Sequence, residues 1–377
     1  MDFSLNDEQQ MLADLVARFV ERQYDFEARR KLADTSQGWS AQNWAALAET
    51  GLLALALDEE HGGLGAGAEA TLVVMEAFGR GLVLEPYLSS ALVAAPLLQR
   101  LGDAALKSRL LDQVASGECR LGLAALEPQA RFDLQDVACQ AQASGSGFCL
   151  NGRKNVVAHG DSAHWLIVSA RTAGNPRDRQ GISLFLVDTQ AEGVSVRGFP
   201  GLDGQRVAEV ELHDVRLPAE ALLGTRHEAF ADLEWAVDRA CFALCAEALG
   251  CMARLTELTV DYLRTRKQFG KPIGSFQALQ HRVAEMLGYV EQVRSITCYA
   301  AAHLDDPDAA VRARAVSAAK ALVGKAGRFI GQQAVQLHGG MGMTDELAVG
   351  WYFKRLTAID MTWGDSDHHV ERYGALM

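Results

Sequence analysis

The sequence predicts an α+β protein built from three successive regions: a helical N-terminal domain, a middle antiparallel β domain and a helical C-terminal domain. Apolar residues recur with a helical period through residue 118, alternate with a period of two as far as about Leu223, and recur with a helical period again from Ala229 onwards. The order α, β, α lacks the βαβ alternation of a Rossmann sheet. We place the three domains at residues 1–118, 119–224 and 225–377.

The N-terminal domain has a helix start at Asn6, and Gln9 three residues later indicates a partial capping box. The next apolar residues fall on one helical face: Leu12, Leu15, Val16 and Phe19. The same patterning extends to about Ala115, and the glycine-rich segment 61–65 predicts a loop within it.

Turn signals divide the middle region into short strands. Ser144-Gly145-Ser146-Gly147 and Asn151-Gly152 each predict a tight turn, and Asn-Gly is the strongest short-range hairpin signal. Residues 209–212 alternate Glu with apolar side chains, as in a strand with one buried face. The polar segment 171–180 predicts a loop.

The composition is that of a globular protein with an acidic balance, because 49% of its 377 residues are hydrophobic, 22% are charged, and the net charge is −12. That charge argues against nucleic acid as a partner, since phosphate binding needs a basic surface. No apolar run is long enough to span a membrane, and the N-terminus resembles neither a secretory signal nor a transit peptide. The seven cysteines contain no Cys-x-x-Cys pair, which indicates reduced thiols and predicts a cytoplasmic protein.

Two short segments of the C-terminal region carry most of the functional information. Residues 266–277 are Arg-Lys-Gln-Phe-Gly-Lys-Pro-Ile-Gly-Ser-Phe-Gln, and residues 336–342 are Gln-Leu-His-Gly-Gly-Met-Gly. Long helical segments are predicted between them, near 279–304 and 309–337. The glycines of the second segment follow a helix rather than a strand, so the dinucleotide-binding fingerprint does not apply. Taken alone, each segment predicts only a helix end and a turn.

Together these segments, with Gly51-Leu52-Leu53 leading into the loop at 59–65, closely resemble the acyl-CoA dehydrogenase family. The resemblance covers nearly the whole chain, from about Phe3 to His369. It implies that the helical C-terminal domain is a four-helix bundle, that FAD is the cofactor, and that the reaction is α,β-desaturation of an acyl-CoA thioester. It also implies a tetramer in which each FAD lies across a subunit interface, and an electron-transfer flavoprotein as the electron acceptor.

The resemblance implies which residues contact FAD. Arg266 would bind the diphosphate of a neighbouring subunit's FAD, a task that suits a planar charged guanidinium. The other cofactor contacts that it implies are Gln268, Phe269, Ile273, Phe276, Gln336, Gly339, Gly340 and Ser366. Each of these also has an ordinary structural interpretation, such as a solvated helix-end cation for Arg266 or a helix cap for Gly340.

The family removes the α-proton with a Glu in a Glu-Gly-Thr triplet that follows an aromatic residue, and this chain lacks that Glu. The residues that correspond to the triplet after Trp363 are Gly364, Asp365 and Ser366. The position that a minority of the family uses instead falls on Ala240, which cannot accept a proton. Asp365, displaced by one residue, is the remaining candidate base; alternatively it caps the following helix.

Two other polar features predict no site of their own. Glu247 lies further along the same helix as Ala240 and is interpreted as a structural residue. His368 and His369 lack a third ligand at a suitable spacing, so no metal site is predicted.

The β domain has also lost hydroxyl groups that the family directs at the flavin ring. The family's Val-Thr-Glu-Pro corresponds to residues 125–128, its Gly-Ser-Asp to 131–133 and its Trp-Ile-Thr to 156–158. In this chain the hydroxyl-bearing positions of the three motifs hold apolar side chains, those of Leu126, Phe132 and Ala158. The residues that serve a neighbour's FAD are thus retained, while those that would serve this subunit's own ring and substrate are lost.

This asymmetry favours a small or non-catalytic subunit of an α2β2 acyl-CoA dehydrogenase, in which the chain completes its partner's FAD site. The sequence resembles in this respect the small subunits of pimeloyl-CoA-type heteromeric dehydrogenases. One alternative is a self-sufficient homotetrameric dehydrogenase with Asp365 as base. Another, of a different class, is a CoA-ester-binding or structural scaffold without a redox role.

Overall fold

The computed structural model describes residues 5–377. Residues 1–4 lie outside this range, and with them Phe3, where the family resemblance begins. The chain divides into two compact units that interleave along the sequence. The first contains residues 5–31, 68–83 and 241–377, and the second contains residues 32–67 and 84–240. The boundaries of the three domains inferred from the sequence stay a prediction.

Helices dominate both ends of the chain. The α-helices of the described residues are α1 (Asp7–Gln23), α2 (Phe26–Ala33), α3 (Ala41–Glu49), α4 (Ala68–Gly81), α5 (Ala95–Leu101), α6 (Ala104–Ala115), α7 (Phe230–Thr265), α8 (Gln277–His303), α9 (Ala309–His338), α10 (Val349–Met361) and α11 (Ser366–Ala375). The expected capping box is present, since the Asn6 side chain accepts from the Gln9 amide and the Gln9 side chain accepts from the Asn6 amide. Helices α8 and α9 match the two long segments expected from periodicity, and no helix within residues 5–377 is long and apolar enough to cross a bilayer.

One sheet forms the middle of the second unit. Its strands are β1 (Leu121–Ala124), β2 (Gln140–Ser144), β3 (Gly147–Ala158), β4 (Trp165–Arg171), β5 (Ile182–Asp188), β6 (Val194–Pro200), β7 (Arg206–Leu217) and β8 (Leu222–Leu223). They lie in the order β6-β7-β3-β2-β4-β5-β8, with β1 also paired to β4. The sheet is antiparallel as expected except around β4, which pairs in parallel with β1 and β2. Apolar side chains of these strands, among them Leu150, Leu166, Phe185 and Val210, are fully buried.

The two expected turns have different outcomes. Residues 144–147 join β2 to β3 as a hairpin, which confirms the first. The turn at Asn151-Gly152 is wrong, because both residues lie inside β3, where the pairing with β7 shifts register between Leu150 and Gly152. A side chain at Gly152 would stand within 2.7 Å of the Cys139 Sγ, so the glycine serves a close approach rather than a turn.

Two glycines set the packing of α4 against α7 in the first unit. A Cβ on Gly79 would collide with the Glu247 carbonyl, and a Cβ on Gly250 would collide with the Glu76 carbonyl. The helices therefore approach backbone to backbone, which only glycine permits. This contact fixes the direction of α7, and α7 ends immediately before Arg266. Two short strands, β9 (Lys267–Gln268) and β10 (Lys271–Pro272), then form a hairpin that leads into α8.

Candidate functional site

A cavity of about 690 Å³ opens in the first unit where the end of α7, the β9–β10 hairpin, the start of α8 and the end of α9 meet. Six of the expected cofactor residues line it: Arg266, Gln268, Ile273, Gln336, Gly339 and Gly340. Residues 266–273 and 336–340, far apart in sequence, are thus brought to one place. That these residues bind a cofactor stays a prediction, whereas their position around one cavity is a property of the structure.

Backbone geometry presents the charged and amide groups of the cavity. The Arg266 amide donates to the Tyr262 carbonyl at 2.8 Å and its carbonyl accepts from Ile273 at 2.9 Å, so the residue is held at both ends while its side chain is exposed. At the other wall Gly339 ends α9 with a φ of 60°, a left-handed conformation that favours glycine. No atom lies within 4 Å of where a side chain at Gly340 would begin, so the main chain is bare there.

The cavity also contains two aromatic rings that were not among the expected cofactor residues, although one of them, His338, lies within the second motif. The rings of Tyr262 and His338 stack at 4.4 Å between centroids. The His338 Nδ1 lies 2.8 Å from the Ala334 carbonyl, which makes this nitrogen the donor and leaves Nε2 as an acceptor, and burial lowers the pKa of the imidazole. Tyr262 stands one helical turn before Arg266, a spacing that could have indicated a shared face.

Three expected cofactor residues do not line this cavity. Phe269 lies at the hairpin tip with a φ of 55° and is 89% exposed. Its ring meets that of Phe276 edge to face at 6.0 Å, and the Lys271 ammonium lies 4.4 Å from the centre of the Phe276 ring. Ser366 is the first residue of α11 and belongs to a second group of residues in the same unit.

That second group surrounds the α10–α11 loop (residues 362–365), which carries the position of the family's base. Gly364 has a φ of 116° and is buried. A Cβ there would lie 2.5 Å from the His368 Cδ2 and 2.8 Å from the His369 Nε2. The backbone conformation and the neighbouring imidazoles therefore both exclude a side chain at this position.

Asp365 occupies the N-cap of α11. Its Oδ1 accepts the amide hydrogen of His368 at 2.9 Å, the bond expected of a capping carboxylate. The Ser366 amide and hydroxyl both donate to Oδ1 of Asp360, at 3.1 and 3.0 Å. Both donors of Ser366 are thus engaged within the chain, and the assignments of Asp365 to catalysis and Ser366 to cofactor stay predictions.

A buried lysine on α9 binds backbone carbonyls of the α10–α11 loop and of the end of α10. Lys320 on α9 has no exposed surface, and its Nζ donates to the carbonyls of Ile359 at 2.7 Å, Asp360 at 3.0 Å and Gly364 at 2.8 Å. The first two carbonyls belong to the last turn of α10, where carbonyls lack helical partners and favour a cation. Burial lowers the pKa of the ammonium. The loop is fixed to α9 by this contact.

His369 packs beside the same loop and is 1% exposed. Its Nδ1 lies 3.3 Å from the Ser317 Oγ and its Nε2 lies 3.2 Å from the Trp363 carbonyl. Burial, together with the positive charge of Lys320, lowers the pKa of His369 to about 2. Within residues 5–377 no group of three possible metal ligands comes together.

Glu247 on α7 belongs to an ion pair in the interior of the first unit. Its two carboxylate oxygens accept from the Nε and Nη2 of Arg355 on α10, each at 2.6 Å. Glu247 is 3% exposed and Arg355 is 8% exposed. A carboxylate held in a bidentate buried pair contributes to packing of α7 on α10 and is poorly placed to accept a proton from a ligand.

In the second unit a buried ion pair connects Glu127, within the segment 125–128, with Lys154, which lies two residues before the segment 156–158. The Lys154 Nζ lies 2.7 Å from the Glu127 Oε1, and neither side chain is more than 2% exposed. Glu127 also accepts from the amides of Ala138 and Cys139. Two residues beyond Lys154, Val156 has a φ of 52° and is 51% exposed, which is unusual for a β-branched residue. The segment that contains Glu127 is therefore fixed to β3 in the structure, while the positions that carry hydroxyl groups in the family hold apolar side chains here.

Comparisons with known proteins place the chain in a family of flavin-dependent oxidoreductases. Residues 6–118 match the acyl-CoA dehydrogenase N-terminal domain, 122–215 the middle domain and 230–375 the C-terminal domain. The chain belongs to the acyl-CoA dehydrogenase family, whose members act on the CH–CH bond of acyl-CoA thioesters. This result confirms the fold class and family expected from the sequence, and FAD as the cofactor.

Similar proteins include an acyl-CoA dehydrogenase, a chain from a complex of two differently named proteins, and a protein solved with FAD. Acyl-CoA dehydrogenase FadE12 of Mycobacterium tuberculosis is 31% identical over 353 residues, which are 92% of this chain and 90% of that protein. A chain in the ChsE4-ChsE5 complex from Mycobacterium tuberculosis is 28% identical with a TM-score of 0.90, covering 100% of this chain and 98% of that one. A chain in the FAD complex of PigA is 26% identical with a TM-score of 0.91, covering 100% and 98%.

The chemistry of the 690 Å³ cavity suits part of an FAD molecule. An exposed guanidinium at Arg266 matches a diphosphate, and the amides of Gln268 and Gln336 can bond to ribose or adenine. The bare main chain at Gly339 and Gly340 allows close approach of a flat ligand. By contrast, the α10–α11 loop offers no base at Gly364 and no free donor at Ser366.

Proposed function

We propose that this chain is the non-catalytic subunit of a heteromeric acyl-CoA dehydrogenase and completes an FAD site that belongs to its partner subunit. In this proposal the partner supplies the catalytic carboxylate and the groups around the flavin ring. This chain supplies the contacts to the diphosphate and adenosine end of the cofactor, from the cavity around Arg266 and Gln336.

The observation that carries the proposal is Gly364. The family's reaction needs a carboxylate beside the substrate's α-carbon. A glycine with a φ of 116°, hemmed in by His368 and His369, cannot carry one, and Ala240 cannot either. Asp365, the remaining candidate, is bound to the amide of His368.

Two further observations support the proposal. Hydroxyl groups are missing at Leu126, Phe132 and Ala158, where the family directs donors at the ring. A similar chain comes from the ChsE4-ChsE5 complex, which has two differently named components. The retained cavity at Arg266 and the missing groups elsewhere are what a subunit with half a site would have.

Four residues of the cavity have a defined task in this proposal. The Arg266 guanidinium binds diphosphate oxygens, Gln268 and Gln336 orient the adenosine half, and Ile273 excludes water from one wall. Bound FAD supplies hydride-accepting chemistry at its ring, which the partner's residues surround. The acyl-CoA substrate, the electron-transfer flavoprotein acceptor and the cytoplasmic location stay predictions.

The test compares the chain alone with the complex. Purified alone, the chain should lack stoichiometric FAD and dehydrogenase activity; co-purified with its partner dehydrogenase subunit, it should yield a flavin-containing active complex. In that complex Arg266→Met should weaken FAD binding by about 10- to 100-fold, because a charge-assisted bond to phosphate is lost. FAD affinity is measured by flavin fluorescence after stripping the cofactor.

Arg264→Met is the matched control, since Arg264 is also exposed near the end of α7 but does not line the cavity. It should leave FAD affinity unchanged. Stoichiometric FAD and full activity in the chain alone would contradict the proposal and favour the self-sufficient homotetrameric dehydrogenase. The role of Asp365 as base would then be decided by the activity of Asp365→Asn.

A further inference from the structure

Asp360, near the end of α10, holds its carboxylate against the start of α11. Its Oδ1 accepts from the Ser366 amide at 3.1 Å and from the Ser366 Oγ at 3.0 Å. Its Oδ2 lies 3.2 Å from the Nη2 of Arg328, whose side chain is 66% exposed. Asp360 itself is 6% exposed, so the carboxylate is enclosed while the arginine reaches the surface.

These partners are the groups that bind phosphate in proteins. A helix N-terminus presents unpaired amide hydrogens and a positive dipole end, a serine hydroxyl adds a donor, and an arginine adds charge. In this chain all three donate to one internal carboxylate. The arrangement is that of an occupied anion site, with Asp360 as the anion.

The surrounding residues are shaped to keep the carboxylate in place. A Cβ on Gly324 of α9 would collide with the Asp360 Oδ1 and the Ser366 Oγ, so the glycine makes room for their contact. The Lys320 Nζ donates to the Asp360 carbonyl at 3.0 Å and fixes its backbone. A second carboxylate, that of Asp365, takes the amide of His368 at the same helix start. The first turn of α11 therefore faces two carboxylates, of which that of Asp360 is also paired with Arg328.

We propose that Asp360 takes the place of a phosphate group at Ser366 and so prevents this chain from holding a flavin diphosphate there. The inference rests on the proposed function, because it explains how the chain serves a partner's FAD through Arg266 without binding a second FAD at its own half-site. A phosphate that approached Ser366 would meet a carboxylate in place of donors, and like charges brought together without solvent repel strongly.

The experiment measures whether removing this one charge opens the site. Asp360→Asn keeps the size of the side chain and an acceptor for Ser366 but removes the charge. Binding of ADP and of FAD to the full chain is measured by calorimetry in an Arg266→Ala background, which removes the other diphosphate contact. We expect ADP and FAD to bind at least about tenfold more tightly after Asp360→Asn than before it.

Asp365→Asn is the control, since it removes a negative charge from the same helix start but not the one on Ser366. It should produce less than half of the gain in affinity. A gain in Asp365→Asn of half or more of that in Asp360→Asn, or no gain in Asp360→Asn, would overturn the proposal. Asp360→Ala provides a second variant if the amide disturbs the loop, and thermal unfolding verifies that each variant is folded.

The two proposals fail in different ways. Absence of any gain in Asp360→Asn contradicts the role of Asp360 but leaves the partner's FAD site at Arg266 untouched. Stoichiometric FAD in the chain that still carries Asp360, in the Arg266→Ala background, would contradict both.

Discussion

At Gly364 two independent constraints exclude a side chain. The φ of 116° lies where L side chains are strained, and the imidazoles of His368 and His369 fill the space that a Cβ would need. The sequence showed that the base was absent from this position. It could not show that the position is closed to one, because this depends on how α11 folds back over the loop.

Restoring the family's glutamate should therefore fail. Gly364→Glu is expected to lower the free energy of unfolding by about 2–4 kcal/mol, the sum of backbone strain and overpacking, and to give no dehydrogenase activity. Chemical denaturation and an activity assay of the complex check the two parts. Gly350→Glu on α10 is the control, since no atom lies within 4 Å of its Cβ position, and it should not destabilise. A stable, active Gly364→Glu complex would contradict the account.

Asp365 shows the limit of residue-level inference from a sequence. A carboxylate one residue from the base position is compatible with catalysis and with helix capping. The bond to the His368 amide fits the capping interpretation, whereas the sequence alone left both open. Arg266 and Gln336 belong to two motifs that are informative only in combination, and the structure brings both residues to one cavity, whereas their role at a cofactor stays a prediction.

At the scale of elements, one face of α9 organises the α10–α11 loop, which carries the position of the family's base. Ser317, Lys320, Gly324 and Arg328 follow one another at helical spacing. Ser317 lies beside His369, and Lys320 binds the three backbone carbonyls described above. Gly324 makes room for Ser366, and Arg328 pairs with Asp360. Periodicity predicted the helix but not these contacts, because a polar residue on a buried helix face carries no signal in the sequence of the group that it binds.

The packing of α11 on α9 should make stability depend on pH. The pKa of His369 is lowered from its ordinary value to about 2. Below about pH 6.5 the unfolded chain therefore binds a proton that the folded chain does not, and the free energy of unfolding falls as pH falls, by up to about 1.4 kcal/mol per pH unit for this group. His164, His338 and His368 act in the same direction, because burial lowers the pKa of each.

Denaturation of the chain at several pH values between about 5 and 7 measures the slope, and His369→Gln should reduce it. His303→Gln is the control, since its side chain is 31% exposed and it pairs with Asp306. A slope that His369→Gln leaves unchanged would show that the imidazole is protonated in the folded state.

At the scale of the whole molecule, the order of helices and strands followed from periodicity and turn residues. The interleaving of two compact units did not, because it depends on contacts between distant segments such as Gly79 with α7. The Asn151-Gly152 error has the same origin, since a local turn signal was overridden by the pairing of β3 with β7. Local patterns predicted the elements, and long-range packing decided where they lie.

Association with a partner should depend on the tip of the β9–β10 hairpin. Phe269 is 89% exposed. Met343, which follows the lining residues 336–341 by two positions in the sequence, is 79% exposed. Exposed large apolar groups next to a binding site are typical of interfaces, in which a few aromatic residues carry most of the binding energy. Phe269→Ala should therefore weaken association with the partner subunit by at least about tenfold while leaving thermal unfolding of the isolated chain unchanged.

Met11→Ala on α1, 65% exposed, should affect neither quantity, and analytical ultracentrifugation of the complexes would distinguish the two variants. If Phe269→Ala assembles as well as the unsubstituted chain, the hairpin tip lies outside the interface and its exposed ring needs another explanation.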